Sequence, residues 1–390
     1  MLGVSAEEFP PLVRSIEART AARLRDGEAD HLIFYILQSS RFTHRPRIEP
    51  ALSAREYVEK GKIPAAAETR MRDFLKALDR PAADERLAWF RQTLAAPQRA
   101  PAYLRAQYAR AMRSLYGKEF EGGAGSAWYQ TRGHSSDTRI ESSYALWNAL
   151  AVLKARDPAL RLQRVLIVGP GLDFAPRTDL IDAYPPQSYQ PYAVEDALLS
   201  LGLADPARLR IHCVDINPRV VASFTKSPAH LILFREWDDP DYRQYFDRLG
   251  SAIGSARPIP NGKSLDLSRA AAARVTAAKL NVITERYDPS PGYDLIVATN
   301  VLVYFDRREL LLALANIRAM LAPGGYFIHN ETRPEVEAMS SALGFPPVQG
   351  GTVRLSTGPR PLFDSFVIQQ PSVHLQELRE RKLLRPQSRF

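Results

Sequence analysis

At 390 residues the chain exceeds one ordinary domain and calls for a core of roughly 200–250 residues with a substantial appendage. Its 45% hydrophobic and 24% charged content is that of a globular protein, and its one cysteine, Cys213, excludes an intramolecular disulfide and most cysteine-based metal sites. The net charge of +9 sits on the flanks: residues 1–115 carry +6, residues 371–390 carry +3, and 116–370 balance to zero.

A basic flank can attract an acidic partner or a phosphate backbone. No zinc finger, RNA-binding signature or basic repeat accompanies this one, so it reads more simply as solvated helical surface and nucleic acid is not an expected partner. The start, MLGVSAEEFP, has no basic n-region and no apolar h-region, so no secretory signal is expected and the reducing cytoplasm is the expected location. HLIFYIL, His31 to Leu37, falls far short of the roughly 18 residues of a membrane span.

From residue 5 to about 115 apolar residues recur at helical spacing (Leu12, Ile16; Phe74, Leu78; Leu87, Phe90, Leu94; Leu104, Tyr108, Met112), punctuated by Pro46, Pro50, Pro64, Pro81, Pro97 and Pro101. This predicts an all-α domain of several short helices over 1–116. Residues 117–128, GKEFEGGAGSAW, hold four glycines and are the linker candidate. Strands then alternate with helices over 129–370, which implies an α/β domain with a mainly parallel sheet, and 371–390 form a basic tail.

Thr138 followed by Glu141 is a capping box that predicts a helix from near Arg139 to before Pro158. The preceding loop, RGHSSDT, either caps and solvates or lies over a ligand. Leu162 to Val168 reads as the first strand, and Gly169-Pro170-Gly171 as the sharp turn that leaves it. The second strand, Leu209 to Val214, ends in Asp215, whose carboxylate is placed to accept both hydroxyls of an adenosine ribose. Its plainer role is to cap the helix that Pro218 starts. Cys213, inside this strand, reads as a packed thiol.

A dinucleotide site wants G-x-G-x-x-G, but Phe174 holds the third glycine position, and the next helix starts only near Tyr192. S-adenosylmethionine (SAM) needs no pyrophosphate cradle and suits this loop better. Asp215 follows Gly171 at about twice the usual interval, and the insertion from Asp173 to Tyr189 accounts for the excess.

The run KLNVITERYDPSPGYDLIVATNVLVYFDRRELLLALANIRAMLAPGGYFIHNE, Lys279 to Glu331, reads as strand, loop, strand (Asp294 to Thr299), helix (Arg307 to Leu321), turn and strand (Tyr326 to His329). A helix over 336–343 and two strands near 348–355 and 363–370 follow. With LNV placed in the third strand, NVLVYFDRREL, LAPGGYFIHNE and YQPYAVEDALL, the chain resembles the class I SAM-dependent methyltransferases over roughly residues 160–370. Within them it is most similar to the chemotaxis-receptor glutamate methyltransferase (CheR-like) branch.

The resemblance implies a Rossmann-like seven-stranded methyltransferase sheet with a terminal antiparallel hairpin. It implies that Gly169 and Gly171 border the methionine part of SAM, that Asp215 binds the ribose, and that Ile216 packs on the adenine. Asn281 and Val282 would read the adenine edge with backbone groups, Asn300 and Val301 would line the cofactor, and Tyr304 would wall the methyl-transfer site or simply pack the next helix. The sequence departs from the family in having Thr299 for an arginine and Gln190-Pro191 for an acidic residue before a helix on which Glu195 comes later. These changes bear on the substrate more than on the cofactor.

A methyl on a sulfonium is already activated, so the protein mainly aligns the acceptor and excludes water. A carboxylate acceptor is ionised at neutral pH and needs no base, only a cation such as Arg132 to position it. A hydroxyl or carbon acceptor needs a base, for which His134, Glu331 and His329 are the candidates; His329, within a strand, reads rather as structural. No catalytic metal spacing is present. The expectation is a SAM-dependent methyltransferase, O-methylating a carboxylate or hydroxyl on a protein or small molecule. Alternatives are a catalytically inactive SAM-binding protein and a nicotinamide-dependent oxidoreductase.

Overall fold

The computed structural model describes residues 3, 5–80, 85–121, 126–138, 140–173, 184–224, 230–235, 237–289 and 291–372. Arg139, Phe174, residues 122–125 of the expected linker, residues 174–183 of the insertion, and the tail from residue 373 lie outside them. The chain forms two compact units, one of residues 14–138 with 171–188, the other of 1–13, 139–170 and 189–390. Among the described residues no helix is long and apolar enough to cross a membrane.

The first unit is helical: α1 (Phe9–Gln38), α2 (Pro50–Lys60), α3 (Ala65–Leu78), α4 (Glu85–Thr93), α5 (Pro101–Phe120) and α6 (Ser126–Thr131). Pro50 and Pro101 occupy first turns, where a missing N–H costs nothing. The expectation of short helices fails for α1, which runs 30 residues. Its last third is buried at almost every position, including Asp30 to Ile33 and Tyr35 to Leu37, so it is the central helix of this core. Phe74, Phe90 and Tyr108 pack around it, with Tyr35 and Phe90 at 4.7 Å between ring centres.

Glycine 27 lies inside α1 because a Cβ there would come within 1.7 Å of the His134 carbonyl oxygen. The His134 N–H in turn donates to Arg23 O at 2.8 Å, and Arg23 donates to the carbonyls of Arg132 (2.8 Å) and Tyr129 (2.7 Å). Residues 129–138, expected on the methyltransferase side of the linker, therefore group with the helices.

The second unit contains α7 (Glu141–Arg156), β1 (Arg164–Val168), α8 (Gln190–Ser200), β2 (Arg210–Asp215), α9 (Pro218–Ser223), β3 (His230–Phe234), α10 (Pro240–Arg248), β4 (Gly254–Ile259), β5 (Gly262–Leu267), α11 (Arg269–Arg274), β6 (Val275–Lys279), β7 (Tyr293–Ala298), α12 (Arg307–Met320), β8 (Leu321–His329), α13 (Pro334–Ala342), β9 (Pro347–Arg354) and β10 (Phe363–Gln369). Seven strands form one sheet in the order β6-β2-β1-β7-β8-β10-β9. The first five are parallel, and β10 runs antiparallel to both β8 and β9. This is the expected Rossmann-like methyltransferase sheet with its terminal hairpin. Its central strands, RVLIV and YDLIVA, are apolar runs because helices cover both faces of a parallel sheet.

Two sequence expectations are corrected, and one element is new. The Thr138–Glu141 capping box does not form: the Thr138 N–H is bonded to Leu172 O at 3.1 Å, and α7 begins at Glu141 with Ile140 at its N-cap and no side-chain cap. The box appears instead at α12, where Asp306 and Glu309 cap each other's backbone. The LNV segment, Leu280 to Val282, follows β6 rather than lying in a strand. A three-stranded antiparallel sheet, β3-β5-β4, was not anticipated.

Candidate functional site

Parallel strands end together, so Val168, Asp215, Lys279, Ala298 and His329 bring the residues after them to one carboxyl edge. The order reverses around β1, with β2 on one side and β7 on the other, the place where open α/β sheets bind ligands. Seven of the expected cofactor residues, Gly169, Asp215, Ile216, Asn281, Val282, Asn300 and Val301, lie at these strand ends or just beyond them.

Gly169 has φ 67°, and its N–H donates to Val214 O at 2.8 Å. A Cβ at this position would fall 2.6 Å from Val301 Cγ2, so conformation and space both demand glycine. Asp215 is buried, with Oδ1 accepting the Asn217 N–H at 2.8 Å, while the cap of α9 comes from Asn217 itself. Ile216 is half-buried. Asn281 closes a turn: its N–H donates to Glu285 at 2.7 Å, and the Val282 carbonyl accepts from Asn316 at 2.9 Å. The Asn281 N–H and the Val282 carbonyl each make a hydrogen bond within the protein.

Asn300, also in the left-handed region at φ 57°, leads through Val301 into a single 3-10 turn, Leu302 to Tyr304. Tyr304 is buried there. Arg333 secures this turn by donating to Leu302 O (2.6 Å) and Phe305 O (3.2 Å), and it pairs with Glu331 at 3.2 Å. Glu331 is thus an ion-paired carboxylate. His329 is stacked on Phe327 at 4.9 Å, its Nδ1 accepts the Glu331 N–H, and burial pushes its pKa down to about 3.

Gly171, Arg132 and His134 belong to the helical unit. Gly171 has φ 65° and lies against Ser136 O. Arg132 stands 4.5 Å over the Trp128 ring and 3.9 Å from Asp30. Burial, with Arg23 nearby, pushes the His134 pKa down to about 3.

Two contacts escaped the sequence. Gln190 Nε2 donates to Thr299 Oγ1, joining the two positions where the chain departs from the family it resembles, and both side chains are buried. The Gln190 Oε1 is buried without a hydrogen-bond partner among the described residues. Asn330, beyond β8, binds Asn300 through two hydrogen bonds. Nothing local marks either contact, since the partners lie 109 and 30 residues apart. Glu195, by contrast, is structural: it pairs with Arg274 at 2.6 Å, and burial raises its pKa to about 7. Among the described residues no group of three or more His, Cys, Asp or Glu is placed to hold a metal ion.

Sheet order and strand-end residues define a SAM-dependent methyltransferase fold. Residues 257–344, from β4 to the end of α13, match the family described as CheR methyltransferase, SAM binding domain, a narrower span than the resemblance read from the sequence. The protein is a SAM-dependent methyltransferase carrying a CheR-type SAM-binding segment, and SAM is its cofactor. It is similar to the magnesium protoporphyrin IX methyltransferase ChlM from Synechocystis PCC 6803, solved with bound SAM (12% identity, 66% of this chain and 94% of that one, TM-score 0.33). It is also similar to the N-methyltransferase NodS from Bradyrhizobium japonicum WM9, in complex with S-adenosyl-L-homocysteine (13% identity, 58% and 85%, TM-score 0.32). No curated protein sequence matches the chain.

Proposed function

We propose that the protein O-methylates a carboxylate acceptor, with Gly169, Asp215, Ile216, Asn281, Val282, Asn300 and Val301 holding SAM, Gly171 continuing the glycine turn, and Tyr304 walling the transfer site. The residues fit the group: a glycine turn that a Cβ would fill, a carboxylate at the end of β2, and the buried Oε1 of Gln190 awaiting a donor at the start of α8. SAM, when bound, supplies an electrophilic methyl group.

The observation that carries the acceptor class is the state of the three expected bases. His134 and His329 are each buried with a pKa near 3, and Glu331 is paired with Arg333. A buried neutral imidazole with so little proton affinity does not take a proton from a hydroxyl at neutral pH. An acceptor carboxylate, ionised near its ordinary pKa of about 4, requires no such step. The chain's contribution is then to bind, align and dry the site.

The test is methyl transfer from labelled SAM to peptides and small acids. Label lost as methanol at high pH marks a methyl ester and is the expected outcome. Label that resists base overturns the carboxylate assignment, and SAM binding with no transfer to any acceptor points to the inactive alternative. Asp215→Ala should weaken S-adenosylhomocysteine binding by about a hundredfold or more, as loss of a buried charge-assisted ribose contact would. Unchanged affinity would sink the ribose role.

A further inference from the structure

A cavity of about 460 Å³ opens between α7, α8 and α10 of the sheet unit, and the methyl-transfer assignment makes no use of it. Helical spacing builds its walls. Tyr144 and Trp147 lie three residues apart on α7, and Asp241, Tyr245 and Arg248 follow at intervals of four and three on α10, so each set shares one helix face. Asp196 of α8 joins them in the lining. Helix α8 starts at the carboxyl edge of the sheet, where Gln190 meets Thr299, and Asp196 lies about 9 Å further along its axis. The cavity is therefore separate from the strand ends proposed to hold SAM.

Three aromatic rings give it an apolar wall. Tyr245 stands 5.1 Å from Tyr144 and 6.0 Å from Trp147 between ring centres; both tyrosines are buried and the tryptophan is half-buried. Ring faces carry partial negative charge and attract a cation most where water is kept from them. The Tyr245 hydroxyl is itself buried with no hydrogen-bond partner among the described residues, an unsatisfied group of the kind that water or a ligand completes. Asp196 is 4% exposed, and its Oδ1 accepts the Ala252 N–H at 2.8 Å. Asp241 is exposed at the rim and makes no ion pair among the described residues. Arg248, likewise unpaired, sits two turns away, about 10 Å along α10. Two carboxylates against one guanidinium leave the lining negative, with the positive group at the far end from Asp241.

We infer that this cavity is an accessory binding site for a small organic ammonium ion, held between the aromatic wall and the carboxylates of Asp196 and Asp241. An alkylated ammonium suits it better than a metal ion, to which aromatic rings offer no ligand atoms, and better than an anion, which would meet both carboxylates. The volume is that of a small-molecule site. The inference does not depend on the acceptor class or on the placement of SAM.

The experiment is calorimetric titration of the full chain with choline and with 3,3-dimethylbutan-1-ol, its uncharged isostere, each with and without saturating S-adenosylhomocysteine. Saturable choline binding is expected, about tenfold or more tighter than that of the alcohol and unchanged by the homocysteine compound. Trp147→Leu keeps an apolar side chain but removes a ring, and choline should bind it about tenfold more weakly. Asp241→Asn should weaken choline by about threefold and Arg248→Gln should tighten it by about as much, since one removes an attracting charge and the other a repelling one. Both residues are exposed, so these two variants decide the matter if Trp147→Leu does not fold. No choline binding, or equal binding of the alcohol, overturns the ammonium assignment. Displacement of choline by S-adenosylhomocysteine overturns it too, by placing the ion at the carboxyl edge. So does wild-type affinity in a folded Trp147→Leu protein, or a pair of charge variants that do not move affinity in opposite directions.

Discussion

The two units satisfy their backbone by opposite means. In the sheet unit, neighbouring strands take up the carbonyls of the core. In the helical unit, buried arginines take up carbonyls at helix ends and in the irregular chain between helices. Arg70, 1% exposed, donates to the carbonyls of Ile36 (2.7 Å), Arg45 (2.9 Å), Pro46 (3.0 Å) and Ser39. Arg86, equally buried, donates to Tyr184 O (2.8 Å) and Asp173 O (3.3 Å), and Arg23 ties α1 to residues 129–132. A five-donor planar fork suits irregular chain that no strand can reach. Part of the +6 carried by residues 1–115 is therefore internal, and counting it as a basic surface overstates what a partner would meet.

The largest expected effect tests this contrast directly. Arg70→Met removes the guanidinium donors of four carbonyls in and after α1 and should cost about 3–5 kcal/mol. Hydrogen exchange should lose protection around residues 36–48 while the strands of the large sheet keep theirs; uniform loss across both units would break the contrast.

A smaller effect is expected from the lysine that plays the arginine role in the sheet unit. Buried Lys263 donates to Phe246 O, Leu249 O (2.7 Å) and Asp247 O (3.2 Å) at the end of α10, and burial lowers its pKa to about 8. Lys263→Met should cost about 2 kcal/mol, read as a shifted urea midpoint. No shift would mean that these carbonyls find water instead.

The smallest effect is spread over pH. His31, His134 and His329 all stay neutral down to about 3, chiefly through burial, while the unfolded chain takes up protons near 6.5. The unfolded state then binds more protons between these values, so stability falls as pH falls, by up to about 1.4 kcal/mol per pH unit for each histidine. Glu195, raised to about 7, has the opposite sign: its folded state holds the extra proton from 7 down to 4.5 and gains stability on acidification. In the sheet unit burial lowers His212 as well as His329, and Glu195, Asp196 and Asp364, all raised by burial, offset the two histidines. In the helical unit both histidines act together, opposed among the described residues by Asp30, which burial also raises. Acid sensitivity should concentrate there, and His31→Gln should flatten the dependence of the urea midpoint on pH between 6.5 and 5. An unaltered slope would remove His31 from the balance.

The large sheet was legible because parallel strands covered on both faces read as unbroken apolar runs, and the edge residues because strand ends follow from strand positions. The small sheet was not. Its outer strand, GSARPI, is exposed along most of its length and presents neither an apolar run nor an alternation. The capping box at Thr138 was a sound local pattern defeated by a tertiary one, since the Thr138 N–H was already bonded to Leu172. The Gln190–Thr299 pair and the Asn300–Asn330 pair unite residues whose neighbours in sequence say nothing about them. Each base candidate was visible as a residue type, but its burial or pairing was not.

Arg86 carries a consequence for the order in which the chain is made. Its acceptors at residues 173 and 184 emerge only after β1, a strand of the other unit, has been synthesised. The helical unit is discontinuous in sequence, and a nascent chain that ends at residue 138 lacks the two carbonyls that this buried guanidinium needs. Early helices must therefore wait, incompletely stapled, for a segment translated well after them, and no single cut in the chain yields both units whole.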